Sequence, residues 1–243
     1  LGIIQVDNPS QLLETLKFLC ISGVPEGNRV MGFTCSGGGA TMLADYAEKI
    51  GLEFVPPEPE TAEVLREQLP DIATVSNPLD YTTPIWGQQE PVEAVMTTAC
   101  RDKHHAAISV QDYPLPGLDE TRHFYFNDTK AFVNAARAAG LPAALCCTLP
   151  ENLDKAARDF LVEQGVTPAQ GIHEALDAIA SAAWYGKRRQ RILAEKSPSF
   201  PESNVHRAER SKQKGRSLSQ GGMYLEGTPL CKRGDGGDFS TDC

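Results

Sequence analysis

The chain has 243 residues, 41% of them hydrophobic and 23% charged, with a formal net charge of −9. That length fills one good core and perhaps a second small one, and the acidic balance argues against a nucleic-acid surface, which normally carries a basic stripe. No apolar run approaches the roughly 20 residues of a membrane span and no signal peptide opens the chain, so a cytoplasmic protein is expected. The cysteines (Cys20, Cys35, Cys100, Cys146, Cys147, Cys231, Cys243) contain no C-x-x-C pair and fall mostly in apolar contexts, which predicts reduced, buried thiols. His104 and His105 precede an apolar strand and read as a loop pair, and no metal site is expected.

In chain order, Asn8-Pro9-Ser10 opens a first helix with Leu12, Leu13, Leu16, Leu19 and Cys20 as its apolar face. A strand over 29–35 follows, then a helix with Met42, Leu43, Tyr46, Ala47 and Ile50 on its apolar face, stopped by Gly51. Next come a short strand over 53–55, a helix over about 60–69, an extended loop through Asn77-Pro78-Leu79-Asp80 and a helix over about 89–101. Strands at 106–111 and 143–148 flank a helix over about 127–139. A helix over 152–164, a short edge strand over 167–170 and a last helix carrying Ile172, Leu176, Ile179, Ala183 and Trp184 complete the pattern. Strands apolar on both faces and alternating with helices predict a parallel α/β sheet.

The composition changes after about residue 195. Residues 1–194 hold 15 Lys and Arg against 25 Asp and Glu, whereas 195–243 hold 8 against 7, with seven glycines, seven serines and only seven of Ile, Leu, Val, Met and Phe. Such a segment buries too little apolar surface to offset the entropy of ordering it, so a disordered tail is expected over 195–243.

The segment most charged with chemistry is Arg29 to Asp45, where an apolar strand runs through Ser36-Gly37-Gly38-Gly39-Ala40 into a helix. Glycines admit close approach of an oxyanion to backbone N–H groups, and the first helical turn supplies unpaired donors with about half a positive charge of dipole. Tight packing of the turn would equally call for glycine. The dinucleotide pattern G-x-G-x-x-G fails at Met42 and the P-loop fails at Met42-Leu43-Ala44, so direct binding of NAD or a P-loop nucleotide is not expected.

Ser36-Gly37-Gly38-Gly39 with Asp45, then Gly51-Leu52-Glu53, Glu60-Thr61, Leu69-Pro70 and Asn77-Pro78-Leu79-Asp80-Tyr81 occur in the order found in a known group of enzymes. Ile85-Trp86-Gly87, Asp112-Tyr113-Pro114, Leu149-Pro150-Glu151-Asn152 and Gly171-Ile172 to Trp184 continue the match. Over about residues 1–194 the chain resembles the NDP-forming acid–CoA ligases of the succinyl-CoA-synthetase-like superfamily, and most of all the bacterial acetate–CoA ligase-like proteins with all domains fused.

The resemblance implies a flavodoxin-like, doubly wound ligase-CoA domain over 26–194, preceded over 1–25 by the end of another domain and a linker helix. Such enzymes join a carboxylic acid to coenzyme A with ATP or another NTP and Mg, through an acyl phosphate and a phosphohistidine. The shuttle histidine motif, Ser-His-Thr-Gly-like, is absent, as is an ATP-grasp region, so no catalytic residue is assigned to this chain. Leu1 to Asp7 resembles the closing strand of the missing domain, and a start at Leu1 fits a cut fragment. The implied partners are the CoA-binding and ATP-grasp domains and a small carboxylic acid. A frameshift or a genuine linker would each explain why the tail departs from the family.

The resemblance places Ser36, Gly37, Gly38, Gly39 and Ala40 as the phosphate-binding element facing the phosphohistidine. Asn77 and Asp80 follow a strand, where α/β sheets open their ligand crevice. Asn77-Pro78 also fits a rigid turn, and Asp112 either faces the crevice or caps a loop. Tyr81 and Trp86 read as packing residues. A serine hydrolase with Ser36 as nucleophile, Asp112 as acid and His173 as base is a rival, although Thr34 breaks the G-x-S-x-G elbow. A non-catalytic α/β interaction module is the other rival.

Overall fold

The computed structural model describes residues 2–115 and 117–196; the segment expected to be disordered lies, apart from its first two residues, outside them. Five strands form one parallel sheet: β1 (Val30–Thr34), β2 (Leu79–Asp80), β3 (Ala106–Val110), β4 (Ala143–Cys146) and β5 (Thr167–Ala169). Their order is β2-β1-β3-β4-β5, with β1 paired to β2 and β3 through registers such as Thr34↔Asp80 and Gly32↔Ile108. This is the flavodoxin-like doubly wound arrangement, whose topological switch lies between the carboxyl ends of β1 and β3.

The helices are α1 (Pro9–Ile21), α2 (Gly37–Ile50), α3 (Pro59–Gln68), α4 (Gln89–Ala99), α5 (Arg122–Ala138), α6 (Lys155–Glu163) and α7 (Ile172–Lys196). Alternate residues of the strands enter two cores. Val30, Ile108, Ala144 and Cys146 pack with α1, α2 and α7 through Phe18, Leu43, Ala47, Leu176 and Ile179. Met31, Phe33, Ala107 and Leu145 pack with α3 to α6 through Leu65, Val92, Met96, Phe132 and Leu161. Burial on both sides is why these strands read as unbroken apolar runs.

Several expectations are corrected. On α1 the buried face is Glu14, Thr15 and Phe18, while Leu12, Leu13 and Leu16 are about half exposed and Cys20 is a free surface thiol. The reason is the partner: α1 packs on α7 and beside β5, where Glu14 accepts from Gln170 N (3.4 Å) and, just past the helix, Ser22 Oγ donates to Ala143 O of β4 (2.6 Å). A polar edge selects the polar stripe of α1. Cys35 is half-buried, whereas Cys100, Cys146 and Cys147 are buried as expected. Trp184 and Met42, assigned to apolar faces, are also close to half exposed.

Segment 53–55 forms a single bridge, Arg29↔Glu53, rather than a strand, and the loop expected at 77–80 closes into β2 after a cis Asn77-Pro78 bond. Helix α5 starts at Arg122, five residues before the expected position, because Phe124 and Tyr125 pack on Trp86 and hold an aromatic-rich turn helical. Helix α7 runs two residues past the boundary expected at 194. No helix among the described residues is long and apolar enough to cross a membrane.

Candidate functional site at the switch point

Ser36 is the N-cap of α2, extended at φ −148°, and its Oγ accepts from Gly39 N at 3.2 Å. Its own N–H donates to Thr34 Oγ1 (3.3 Å), and Ala40 N reaches Ser36 O (3.1 Å). The capping pattern thus satisfies Ser36, Gly39 and Ala40. The N–H groups of Gly37 and Gly38 have no partner and, like Ser36, these residues are exposed.

The three glycines differ in why they are glycine. A Cβ on Gly39 would lie 2.6 Å from Thr34 Oγ1, so the helix start can approach β1 only without a side chain there. A Cβ on Gly37 or Gly38 would meet nothing nearer than Asp80 Oδ2 or Ser36 Oγ, each at 3.6 Å, which is ordinary contact. Packing within the chain explains Gly39. It does not explain Gly37 or Gly38.

Of the crevice candidates, Asp80 stands beside the loop: its Oδ1 accepts from Thr82 N (2.9 Å), and its Oδ2 faces Gly37. Asn77 sits at the other end of β2 and is fully engaged with backbone, accepting from Gly32 N (3.0 Å) and donating to Val30 O (2.9 Å) and Val55 O (3.0 Å). Its amide fills the gap between the Glu53 bridge and β2 on the edge of β1. Asp112 follows β3 and accepts from the Thr148 backbone N–H and, at 2.8 Å, from the Thr148 hydroxyl, tying the ends of β3 and β4. The structure therefore brings Ser36 to Ala40 and Asp80 together and leaves Asn77 and Asp112 in bracing roles.

A buried polar chain behind the crevice escaped the sequence analysis. Asp128, fully buried, accepts from Tyr81 Oη–H (2.7 Å) and Gly87 N (2.8 Å), and Gln111 Nε2 donates to the Tyr81 hydroxyl (2.9 Å) and to Ser109 Oγ (3.0 Å). The one available signal was periodicity, since Asp128 lies on the stripe Tyr125, Phe132, Ala135 of α5. Burial pushes the Asp128 carboxyl up to about 6. Burial, then the Asp128 charge, push the Cys35 thiol up to about 11, with Asp80 and Asp112 adding to it, so Cys35 is an inert thiol.

Among the described residues no histidine hydrogen-bonds to Ser36, and His173 instead stacks on Tyr46 at 4.0 Å, which gives the hydrolase rival no triad there. Clefts of about 420 and 580 Å³ open along Ile3 to Gln5 and Trp184, away from the switch point. The loop is an open surface.

No family profile matches the chain. Over 65 residues it is 40% identical to the ADP-forming acetate–CoA ligase II subunit alpha of Pyrococcus furiosus, a match covering 27% of this chain and 14% of that protein. The chain is similar to ADP-forming acetate–CoA ligases.

Among solved structures, the protein PH0766 of Pyrococcus horikoshii OT3 shares the fold with a TM-score of 0.64 at 21% identity, over 76% of this chain and 42% of that one. A dinucleotide-forming acetyl-coenzyme A synthetase 1 from Ca. Korarchaeum cryptofilum, in its apo form, gives 0.62 at 18% identity over 81% and 42%. The same synthetase in complex with phosphate and ADP gives 0.59 at 20% identity over 82% and 41%. The chain thus spans well under half the length of each of these proteins.

Proposed function

We propose that this chain is the flavodoxin-like domain of an NDP-forming acid–CoA ligase, in which Ser36 to Ala40 stabilise a phosphoryl group carried on a histidine of another domain. The overall reaction is acid, CoA and NTP to acyl-CoA, NDP and phosphate. The observation that carries the reading is the pair Gly37 and Gly38, whose exposed N–H groups have no partner and whose lack of side chains serves no packing need inside the chain. Preorganised donors of this kind act where charge develops during transfer, and the Ser36 hydroxyl retains its proton to add a third. The similarity to acetate–CoA ligases supports the reaction class.

ATP, Mg and coenzyme A belong to the companion domains in this reading. No group of three or more His, Cys, Asp or Glu suited to a metal exists among the described residues, and no step is assigned to Mg here. The test is Gly38→Val in an enzyme assembled from this domain and its histidine-bearing and nucleotide-binding companions. The valine side chain leaves the N–H in place but blocks the oxyanion's approach to it, and formation of the phosphohistidine is expected to slow by about 10²-fold or more, comparable to losing a preorganised donor. Phosphohistidine appearing at the parent rate in a folded Gly38→Val enzyme would reduce the loop to a turn.

A further inference from the structure

Directly after Asp80 the chain makes an excursion, residues 82–87, with an unusual set of costs in its closed position. Thr82 has φ 65°, a left-handed conformation unfavourable for a β-branched residue, and Gly87 at the far end has φ 78°. The buried Thr82 Oγ1 and Trp86 Nε1 have no hydrogen-bond partner. Inside the excursion the backbone bond from Trp86 N to Thr83 O (3.2 Å) is local. Ile85 and Trp86 pack against the core, and the polar attachment of its two ends converges on one side chain.

That side chain is Asp128: Oδ2 accepts from Tyr81 Oη–H at the entry and Oδ1 from Gly87 N at the exit. Asn127 Nδ2 donates to Gly87 O (3.0 Å), and Trp86 packs on Phe124 and Tyr125 of the same helix. A Cβ on Gly87 would lie 2.4 Å from Phe124, so the exit closes only with glycine.

We propose that residues 82–87 form a strap that opens and closes beside the C-terminal end of β2, with Asp128 the clasp that joins its two ends. Opening relieves the Thr82 conformation, hydrates Thr82 Oγ1 and Trp86 Nε1, and lets water reach the Asp128 carboxylate. It also releases Asp80, which holds Thr82 N and stands beside Gly37. The strap therefore sets the geometry of the crevice loop; this consequence rests on the phosphoryl-binding reading, whereas the strap itself does not.

The groups facing Asp128 are Tyr81 just after β2, Cys35 just after β1 and Tyr125 from α5, with Asp80 and Asp112 acting on the same Cys35, and no cation is among the groups that act on Asp128. The closed strap consequently holds a proton on Asp128 more tightly than the open strap, in which the carboxyl is solvated. Opening becomes more favourable as pH rises from the usual carboxylate range to about 6 and levels off above it.

Native-state amide exchange on the whole chain, corrected for intrinsic rates, tests this. The Trp86 and Gly87 amides are expected to exchange through a local opening, separate from global unfolding, whose equilibrium constant climbs about tenfold per pH unit up to the plateau. Asp128→Asn keeps an acceptor for Gly87 N and a contact to Tyr81 without the titration, and its opening constant is expected to be flat with pH. Thr82→Gly removes the left-handed penalty and is expected to slow opening several-fold. In a Trp184→Phe background, acrylamide quenching of Trp86 follows the same profile.

A pH response unchanged in Asp128→Asn would overturn the clasp, and Trp86 and Gly87 exchanging only with global unfolding would overturn the strap. Should Asp128→Asn not fold, the parent pH profile and Thr82→Gly decide alone. Because these readouts need no phosphoryl group, failure of the strap and failure of the phosphoryl reading are separate results.

Discussion

At the residue scale, three adjacent glycines have two different explanations. Gly39 is required by the approach of α2 to Thr34, while Gly37 and Gly38 are free to carry a side chain as far as this fold is concerned. Gly39→Ala is expected to cost about 1–3 kcal/mol, because Thr34 is buried and has no room to yield, whereas Gly37→Ala and Gly38→Ala should change stability by about 0.5 kcal/mol or less. Urea unfolding of the three variants checks the contrast. The sequence made the anion-site pattern visible but not this division, since Thr34 Oγ1 comes to Gly39 only through the strand-to-helix angle. Asn77 and Asp112 were ambiguous for a similar reason: the groups they bond, such as Val30 O and Thr148, lie far along the chain. Asp128 yields a second prediction. Its folded pKa of about 6 exceeds the ordinary 3.8, so the native state binds more protons than the unfolded chain between those values. Stability is expected to fall by up to about 3 kcal/mol as pH rises from about 4 to 6. Asp128→Asn should remove that slope in thermal melts recorded across pH, and an unchanged slope would assign it to other groups.

At the element scale, the strands were legible because double-sided burial leaves unbroken apolar runs, and α2 because Ser36 and Gly51 bracket it at cap and αL stop. The face of α1 was not. Its leucines suggested a core stripe, but the helix packs on a strand edge, where Glu14 and Ser22 supply hydrogen bonds that leucine lacks. Phe18, fully buried, carries the packing of α1. Phe18→Ala should therefore cost about 3–5 kcal/mol, and Leu13→Ala, at 60% exposure, about 0.5 kcal/mol or less. Denaturant titration of the pair distinguishes this orientation from the reverse. The early start of α5 was hidden for a related reason, since the aromatic turn is helical by virtue of Trp86, a residue from another element.

At the scale of the molecule, the strand order places the carboxyl ends of β1 and β3 at the switch, and the start of α2 puts two open backbone donors there. The surrounding carboxylates Asp80, Asp112 and Asp128 make the crevice acidic behind a donor-rich rim, an arrangement that suits an oxyanion arriving with its own cationic or N–H-bearing carrier better than a free phosphate dianion. The parallel architecture could be read from alternating patterns alone, whereas the openness of the site could not, because it depends on the angle at which α2 leaves β1. The central claim is that Gly37 and Gly38 present their N–H groups to a phosphoryl oxyanion. Titration of the ¹⁵N-labelled chain with phosphoimidazole, followed by amide shifts, tests it most directly. Saturable downfield shifts are expected at Gly37 and Gly38 that exceed those at Ala40, whose N–H is already bonded to Ser36 O, together with their loss in Gly38→Val. Unmoved Gly37 and Gly38 amides across the titration, or identical shifts in Gly38→Val, would contradict it.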